Sequence, residues 1–431
     1  MTERYPLRAI TPDEFGAYCE VPVQAFNETE PLAEVVEQER GVFEFDRSIA
    51  AFDGDTIVGT TAAYSFQLTV PGGTAGTAGV TFVSVRPSHR RRGILSAMMR
   101  HQLADITARG EPVAALYASE SGIYGRYGYG CASMELRLTI RRGEGTLSSP
   151  VVGSTGTGST EAGSTEAGGA GAWLRAGPPE ELRTELAKVY DSVVPHRPGM
   201  LARDERWWQA ILADPESSRR DRGAQKCLLA GDESGPRGYA LYRTKPHWGD
   251  DDLPSGRLTV RELVAADAAT TAALWTDLLS RDLIGEVVAR KRPVDDPLLD
   301  MLADRRRARA YLTDGLWVRL TDVGAALRRR RYSCAADVVI EVTDELLPAN
   351  AGRWRLQCPG PGDGGTASCE RTRAAADITL PVAALGAGYL GGTRLGALAA
   401  AGLVTERTPG ALARLSAAMY ADPAPWCPSG F

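Results

Sequence analysis

Hydrophobic positions in residues 81–108 predict a strand and a helix joined by a basic loop. Residues 81–85, Thr-Phe-Val-Ser-Val, are mostly β-branched or aromatic and stop just before Pro87, which is typical of a strand. Residues 94–108 predict a helix, because apolar side chains recur there at spacings of three and four: Leu95, Met98, Met99, Leu103 and Ile106. The loop between them, His-Arg-Arg-Arg-Gly at 89–93, would direct the first N–H groups of the helix at one point. The pattern therefore predicts an anion site.

The elements around this motif predict a domain that mixes helices and strands. Before the loop, the predicted elements are a strand at 5–10, helices at 11–21 and 30–40, and strands at 47–52 and 56–68. A further strand is predicted at 112–117, and a helical turn and a last strand end the domain near residue 142. Residues 143–172 are rich in Gly, Ser and Thr, which is typical of a flexible linker.

The same order of elements returns after the linker, which predicts a second domain of the same kind. Its predicted elements are a strand at 173–175, helices from 178 and at 203–212, strands at 226–230, 238–243 and 257–265, and a helix at 268–280. A third stretch opens at 314–323 and predicts strands at 337–342, 352–358 and 376–379, and helices at 382–389, 395–401 and 411–418.

Composition places the chain among globular proteins of the reducing cytoplasm. Its 431 residues, 43% apolar and 24% charged, suit two or three domains, and a net charge of −5 gives no sign of nucleic-acid binding. The seven cysteines contain no Cys-x-x-Cys pair, so no disulfide framework or metal site is predicted. No secretory signal is visible, and the apolar run 380–404 is interrupted by Arg394. We therefore expect a cytoplasmic protein with no membrane span.

The basic loop does not fit two familiar phosphate loops. A Walker loop needs Gly-x-x-x-x-Gly-Lys-Ser/Thr and a dinucleotide fold needs Gly-x-Gly-x-x-Gly, whereas here one glycine follows three arginines. The spacing Arg90-x-x-Gly93 after Val83-x-Val85 resembles the acyl-CoA signature of the GCN5-related N-acetyltransferases (GNAT). Leu95 stands where that signature has glycine or alanine, so this motif alone leaves open a merely basic start of a helix.

Residues 119–130 make the resemblance narrower. The string Ser-Glu-Ser-Gly-Ile-Tyr-Gly-Arg-Tyr-Gly-Tyr-Gly, together with His-Arg-Arg-Arg-Gly-Ile-Leu, resembles the enhanced-intracellular-survival (Eis) acetyltransferases of actinobacteria, which share the departure at Leu95. The resemblance implies an α+β fold of tandem GNAT domains and a sterol-carrier-like C-terminal domain. The expected ranges are 1–145 for the catalytic domain, 146–172 for the linker, 173–304 for the second GNAT-like domain and 305–431 for the third.

The resemblance also implies which residues bind acetyl-CoA. The expected set comprises the strand and loop residues of the first domain and two residues after its second strand: Val83, Ser84, Val85, Arg91, Arg92, Gly93, Ile94, Leu95, Ser96, Ser119 and Glu120. The equivalent loop of the second domain, at 265–268, lacks Arg-x-x-Gly, so we expect no CoA there.

Two residues are candidates for proton transfer. The resemblance places the general acid at Tyr124, with Tyr127 and Tyr129 as competing candidates that would otherwise only pack. It places the general base at the C-terminal carboxylate of Phe431, on a tail that three prolines keep extended. The alternative is a frayed tail, and Gly430 stands where relatives can carry an acid.

The acceptor is expected to be a cationic amine. Eight acidic residues and no base lie between Asp13 and Glu39, in the predicted wall of the acceptor site, and such a bias attracts polycations, although a solvated helical face would explain many of these charges. Glu28 and Phe82 are the candidate acceptor-binding residues, and Phe82 could equally belong to the core. The resemblance implies aminoglycosides as acceptors and a homohexamer. A protein-lysine acetyltransferase or a non-catalytic acyl-CoA- or lipid-binding protein are the alternatives.

Overall fold

The computed structural model describes residues 4–28, 31–148, 165–166, 172–219, 221–362 and 365–431. The described residues form two compact units. The first unit contains the residues up to 133 together with 196–202 and 314–431, and the second contains 134–195 and 203–313. Most of the predicted linker 146–172 lies outside the described residues.

The N-terminal third carries the predicted strand, loop and helix. Its strands are β1 (Leu7–Arg8), β2 (Ser48–Asp53), β3 (Thr56–Val70), β4 (Gly73–Val85), β5 (Val113–Tyr117), β6 (Gly130–Cys131) and β7 (Met134–Arg141). Its α-helices are α1 (Phe15–Phe26), α2 (Leu32–Arg40), α3 (Ile94–Ala108) and α4 (Ser121–Tyr124). The predicted helix at 94–108 is confirmed. The strand predicted at 81–85 is the end of β4, which begins at Gly73 and pairs with β3 along its length. The sequence analysis missed its first part because small residues such as Gly76 and Gly79 weaken the strand pattern there.

The middle third repeats these elements. Its strands are β8 (Thr165–Glu166), β9 (Trp173–Gly177), β10 (Lys226–Asp232), β11 (Gly235–Lys245), β12 (Gly256–Ala265), β13 (Ile284–Pro293) and β14 (Tyr311–Asp314). Its α-helices are α5 (Arg183–Val193), α6 (Glu205–Leu212), α7 (Ala268–Ser280) and α8 (Leu298–Met301). The helix predicted at 268–280 is confirmed, and the parallel strand β13 was not predicted.

The C-terminal third is the remaining mixed region. Its strands are β15 (Leu316–Leu320), β16 (Ala336–Thr343), β17 (Gly352–Cys358), β18 (Ser368–Arg371), β19 (Ile378–Pro381) and β20 (Thr405–Glu406). Its α-helices are α9 (Val323–Arg329), α10 (Val382–Tyr389), α11 (Leu395–Ala400) and α12 (Ala411–Ala418). The strands β16 to β20 form one sheet in the order β18-β17-β16-β19-β20.

The sheet of the first unit contains a strand from far along the chain. Its order is β1-β2-β3-β4-β5-β15-β6, with β4 and β5 parallel. Strand β15 pairs antiparallel with β5, Leu316 opposite Tyr117, and also with β6. The stretch 314–323, predicted to open the third domain, therefore completes the first sheet.

The strand that follows β6 in sequence joins the other sheet. The sheet of the second unit has the order β14-β7-β13-β12-β11-β10-β9-β8, and β7 pairs antiparallel with β13 there. The strand expected to end the first domain near residue 142 thus belongs to the second unit, which begins at Met134. Strand patterns predict pairing ability but not the partner, which depends on the free edge available.

The two faces of the first sheet carry separate cores. On one face, α1 and α2 cover aromatic and aliphatic side chains: Phe15, Tyr18, Phe43, Phe52, Ala62 and Phe82. On the other face, α3 covers a second group: Ala63, Val80, Met99, Leu116, Tyr124, Tyr127 and Tyr129. Alternate residues of β3 therefore point to different sides. We call the side covered by α1 and α2 the acceptor face.

A buried ion pair joins the C-terminal third to the first sheet. Arg319 of β15 is fully buried and donates to both carboxylate oxygens of Asp344, at 2.8 and 2.7 Å. Its Nε donates to the backbone oxygen of Tyr127 at 2.9 Å. The ion pair with Asp344 compensates the buried charge of Arg319 and holds its side chain in place. The hydrogen bond from Arg319 to Tyr127 therefore fixes the position of the glycine-rich segment around Tyr127.

None of the helices in the described ranges is long and apolar enough to cross a membrane. All seven cysteines are free thiols.

Candidate functional site

A gap opens between the two parallel strands of the first sheet. The pairing of β4 with β5 covers only Thr77–Gly79 opposite Val113–Ala115, whereas β4 continues to Val85. Backbone groups of β4 beyond Gly79 therefore have no ladder partner on β5. Main-chain groups left open in this way can bind an extended amide-containing ligand, and the predicted residues Val83, Ser84 and Val85 lie here.

A bulge beside this gap turns Phe82 toward the acceptor face. The register between β3 and β4 shifts between Thr60 and Ala62, and Phe82 has a φ of +54°. The Thr60 hydroxyl donates to the backbone oxygen of Phe82 at 2.7 Å, which supports this unusual backbone conformation. The Phe82 ring lies 5.7 Å from that of Tyr18 and 5.5 Å from that of Phe43. It thus packs partly against the core and lines the acceptor face, which keeps both predicted roles open.

The basic loop forms the open end of α3. Gly93 is the N-cap residue of α3 with a φ of +82°, and since it has no side chain it supplies no capping group. The first N–H groups of the helix are therefore left for another acceptor, which suits a phosphate. The Arg92 guanidinium donates to the Tyr5 hydroxyl at 3.0 Å and to the backbone of Ser88, so it braces the loop. Arg91, in the same loop, is exposed and has a φ of +61°.

A cavity of about 650 Å³ runs along the first turns of α3. It is lined by four predicted cofactor residues and by five that the sequence analysis did not select: Arg92, Gly93, Ile94 and Ser96, and Tyr5, Leu7, Ala97, Arg100 and His101. The additional residues lie on or just before β1 and one or two turns into the helix, where no local motif marks them.

Tyr124 is a buried phenol at the end of α4. Burial raises its pKa, a hydrogen bond with the Ser119 side chain opposes the rise, and the nearby charge of Glu120 adds to it. The phenol therefore stays protonated at neutral pH and can donate a proton. Two of the predicted cofactor residues, Ser119 and Glu120, thus lie beside the predicted acid.

The two competing tyrosines have different surroundings. The Tyr127 hydroxyl lies 3.1 Å from Ser96 Oγ. The Tyr129 hydroxyl is buried without a hydrogen-bond partner among the described residues, and burial raises its pKa strongly. Its ring packs edge-on against that of Tyr124, with centroids 6.2 Å apart.

The end of the chain lies on the acceptor face of the first sheet. The ring of Phe431 lies 5.0 Å from that of Phe66 and 5.5 Å from that of Tyr117. The Tyr117 hydroxyl donates to the backbone oxygen of Cys427 at 2.9 Å, and Trp426 and Cys427 are buried. The tail is therefore docked and not frayed.

The tail rests on a short piece from the middle of the sequence. The backbone N–H of Trp426 donates to Pro198 O at 2.8 Å, and Met200 O accepts from the N–H of Thr69 on β3 at 2.8 Å. A Cβ on Gly199 would lie 2.9 Å from Trp426 O, so only glycine fits there. Sequence reasoning missed residues 198–200, Phe66 and Tyr117, because no local pattern links them to the tail.

Gly79 allows the Phe66 and Phe431 rings to lie over β4, and its replacement by alanine should disturb them. A Cβ there would clash with the Phe66 ring and lie 3.2 Å from Phe431 Cε2. We expect Gly79→Ala to lower the free energy of unfolding by about 1–3 kcal/mol, measured by urea denaturation. Gly76→Ala on the same strand is the control, since only Gln67 Nε2 at 3.9 Å lies near its Cβ. Equal stability of the two variants would contradict this packing.

Part of the acidic wall is used in ion pairs. Glu14 pairs with Arg8 at 2.6 Å and Glu20 pairs with Arg86 at 2.6 Å, so these charges hold local structure. Glu28, exposed after α1, and Glu39, in the last turn of α2, are close enough for the charge of Glu28 to raise the pKa of Glu39. Residues 29 and 30, and with them Glu30, lie outside the described ranges.

The equivalent loop of the second unit is arranged differently. Asp267 is the N-cap residue of α7, and its carboxylate accepts from the backbone N–H of Thr270 at 2.8 Å. A negative side chain thus occupies the helix end that in the first unit is left to glycine. A phosphate there would meet like charge.

No group of three or more His, Cys, Asp or Glu side chains is arranged to hold a metal ion within the described ranges.

Three domain families match the chain in order. An acetyltransferase (GNAT) domain matches residues 6–132, a second acetyltransferase (GNAT) domain matches residues 199–320, and a sterol carrier protein domain matches residues 323–428. The second match includes β15, which the structure places in the first sheet. The expected α+β fold with two acetyltransferase domains and a sterol-carrier-like domain is confirmed.

Relatives of similar length are N-acetyltransferases. The chain is 42% identical over 426 residues to an uncharacterised N-acetyltransferase of Streptomyces avermitilis, with 99% of each chain covered. It is 36% identical over 371 residues to the N-acetyltransferase Eis of Mycobacterium tuberculosis, covering 86% of this chain and 84% of that one. The crystal structure of Eis1 from Mycobacterium abscessus matches with a TM-score of 0.80 and 31% identity, over 99% of this chain and 100% of that chain.

Proposed function

Because the chain belongs to the Eis family of GNAT N-acetyltransferases, whose acetyl donor is acetyl-CoA, we propose that it acetylates primary amines of polycationic small molecules such as aminoglycosides. The observation that carries this proposal is the docking of Phe431 between Phe66 and Tyr117 on the acceptor face. It brings a terminal carboxylate to the sheet whose other face holds the Tyr124 phenol.

Acetyl transfer forms a bond from the amine nitrogen to the acetyl carbon and breaks the bond from that carbon to sulfur. The amine must lose a proton and the departing thiolate must gain one. In our proposal Tyr124 donates a proton to the thiolate, since burial keeps the phenol neutral. The carboxylate of Phe431 accepts the proton from the amine, directly or through a water. The products are an acetamide and the free thiol of CoA.

The cofactor residues act through their main chain in this proposal. The uncapped N–H groups at residues 93–96 suit the pyrophosphate of CoA, and the open edge of β4 at Val83 to Val85 suits its pantetheine amides. Arg91 and Arg92 add positive charge, and Ser119 and Glu120 lie beside the acid at the thioester end.

The acceptor in this proposal lies on the acceptor face of the first sheet, beside α1 and α2. Phe82 supplies an apolar wall there and Glu28 supplies negative charge. The homohexamer, the cytoplasmic location and the expected domain ranges stay predictions from the resemblance.

The test is the release of free thiol from acetyl-CoA with aminoglycosides, polyamines and a lysine peptide as acceptors. We expect turnover with aminoglycosides and polyamines, with kcat/KM above that for the lysine peptide because the acceptor wall is acidic. Preference for the peptide would favour a protein-lysine acetyltransferase. Binding of acetyl-CoA, measured by calorimetry, without turnover of any amine would favour a non-catalytic binding protein.

A further inference from the structure

The buried carboxylates of this fold are paired with arginine. Three acidic residues are less than a tenth exposed in the described chain: Glu262, Asp296 and Asp344. Each accepts from a guanidinium within its own unit, at 2.6 Å from Arg203, 2.6 Å from Arg292 and 2.7 Å from Arg319, respectively. Such pairing is expected, because removing a carboxylate from water is costly unless a positive charge compensates it.

Glu39 of α2 is hydrogen-bonded to a hydroxyl. It is partly buried, and its Oε2 accepts a hydrogen bond of 3.0 Å from the Tyr64 hydroxyl. It makes no ion pair with any described residue. Burial raises its pKa, the Tyr64 hydrogen bond opposes the rise, and the charge of Glu28 adds to it. The hydrogen-bond partner of this carboxylate is thus a hydroxyl, where the three buried carboxylates have a guanidinium.

The surroundings of Glu39 place it on the acceptor face. Ala62, Tyr64 and Phe66 are spaced two residues apart along β3, so their side chains lie on the same side of the sheet. Ala62 belongs to the core of the acceptor face. The Phe66 ring lies 6.0 Å from that of Tyr64 and 5.0 Å from that of Phe431. A continuous row of aromatic rings therefore runs from Glu39 to the end of the chain.

An unsatisfied hydroxyl lies in the same wall. Tyr18 of α1 is fully buried, and its hydroxyl has no hydrogen-bond partner of ordinary length in the described ranges, although the Thr61 N–H is near enough to oppose the rise in its pKa. Tyr18 lies near enough to Tyr64 to disfavour ionisation of that phenol. The wall around Glu39 therefore offers a carboxylate, a spare hydroxyl and aromatic rings, which together suit an alkylammonium ion.

We propose that Glu39, held by Tyr64, binds an ammonium group of the acceptor other than the amine that reacts, and so selects acceptors with at least two amines. The reacting amine lies near Phe431, and the second ammonium lies along the aromatic row against Glu39. This inference rests on the proposed function and adds the residue that determines its specificity.

The experiment compares diaminoalkanes with monoamines of the same chain length. Each pair shares the reacting amine and differs only in the second ammonium. The wild-type enzyme should prefer the diamine in kcat/KM. Glu39→Gln keeps the size of the side chain and removes its charge. It should raise KM for the diamine about tenfold or more, and it should change kcat for the diamine and both constants for the monoamine by no more than about twofold. Tyr64→Phe should give a smaller rise in KM.

The matched control is Glu233→Gln, which removes an exposed carboxylate in the turn between β10 and β11, outside the acidic wall. It should leave KM and kcat unchanged for both acceptors. An equal fall in kcat/KM for the diamine and the monoamine in Glu39→Gln, or no fall for either, would overturn the assignment of Glu39. Either result would leave the proposed function intact.

Calorimetry separates the two proposals if no acceptor turns over. In that case the proposed function fails, and Glu39 is tested by binding of the diamine to the protein with CoA present. Binding that weakens about tenfold in Glu39→Gln supports the cation site. Binding equal to that of the wild type, or absent from both, overturns it.

Discussion

Replacement of Tyr124 by phenylalanine is expected to lower kcat for amine acetylation about 10²- to 10⁴-fold, the range for loss of a general acid. The substitution removes only the hydroxyl, so the ring contact with Tyr129 at 6.2 Å and the fold are retained. Because burial raises the pKa of Tyr124, the phenol is protonated between about pH 7 and 9, and the loss should be the same across that range. Steady-state thiol release measures the loss.

Tyr129→Phe is the matched control for this prediction. It removes a buried hydroxyl that has no hydrogen-bond partner among the described residues. Removing such a group is nearly neutral or stabilising, so activity should stay within about twofold and stability should not fall. Affinity for acetyl-CoA, measured by calorimetry, should be unchanged in both variants. A large loss in Tyr129→Phe with full activity in Tyr124→Phe would assign the acid to Tyr129.

Addition of one glycine after Phe431 is expected to lower kcat by about 10²-fold or more. The addition keeps the ring between Phe66 and Tyr117 but replaces the carboxylate at residue 431 with a peptide group, which cannot accept the proton of the amine. The loss should appear in kcat for every acceptor, because the base serves the reaction and not the recognition of one substrate.

Two variants separate the carboxylate from the docking of the tail. Asp422→Asn removes an exposed carboxylate near the start of the tail and should leave activity unchanged. Phe431→Ala keeps the terminal carboxylate and removes the ring, so it should lose less than the glycine addition. Full activity of the extended chain would show that the carboxylate of Phe431 is not the base, and the base would have to be sought among the other groups of the acceptor face.

Local pattern was sufficient for the structure of the basic loop at 89–93 and the elements beside it. The helix at 94–108, the left-handed Gly93 before it and the strand ending at Val85 all follow from residue types that act within a few positions. The period of apolar residues, the conformational freedom of glycine and the stop at proline are local properties, so they are readable without the fold.

Local pattern failed where partners come from distant parts of the chain. Strand β7 was correctly expected as a strand but joins the sheet of the second unit, and β15 fills its place beside β5. Strands β7 and β15 offer the same ladder of backbone N–H and C=O groups. Which of them pairs with β5 therefore depends on the tertiary packing and not on the local pattern of either strand. The residues that hold the tail, among them Gly199, were missed for the same reason.

The sequence by itself determined the α+β class, the repeated order of elements and the motifs that resemble the Eis family, because periodicity, turn residues and short signatures are encoded locally. Only the tertiary structure decided that Phe431 lies beside Phe66 and that the Glu39 carboxylate accepts a hydrogen bond from Tyr64. Both contacts join residues that are distant in sequence, and no local pattern in a single sequence specifies which distant side chains meet.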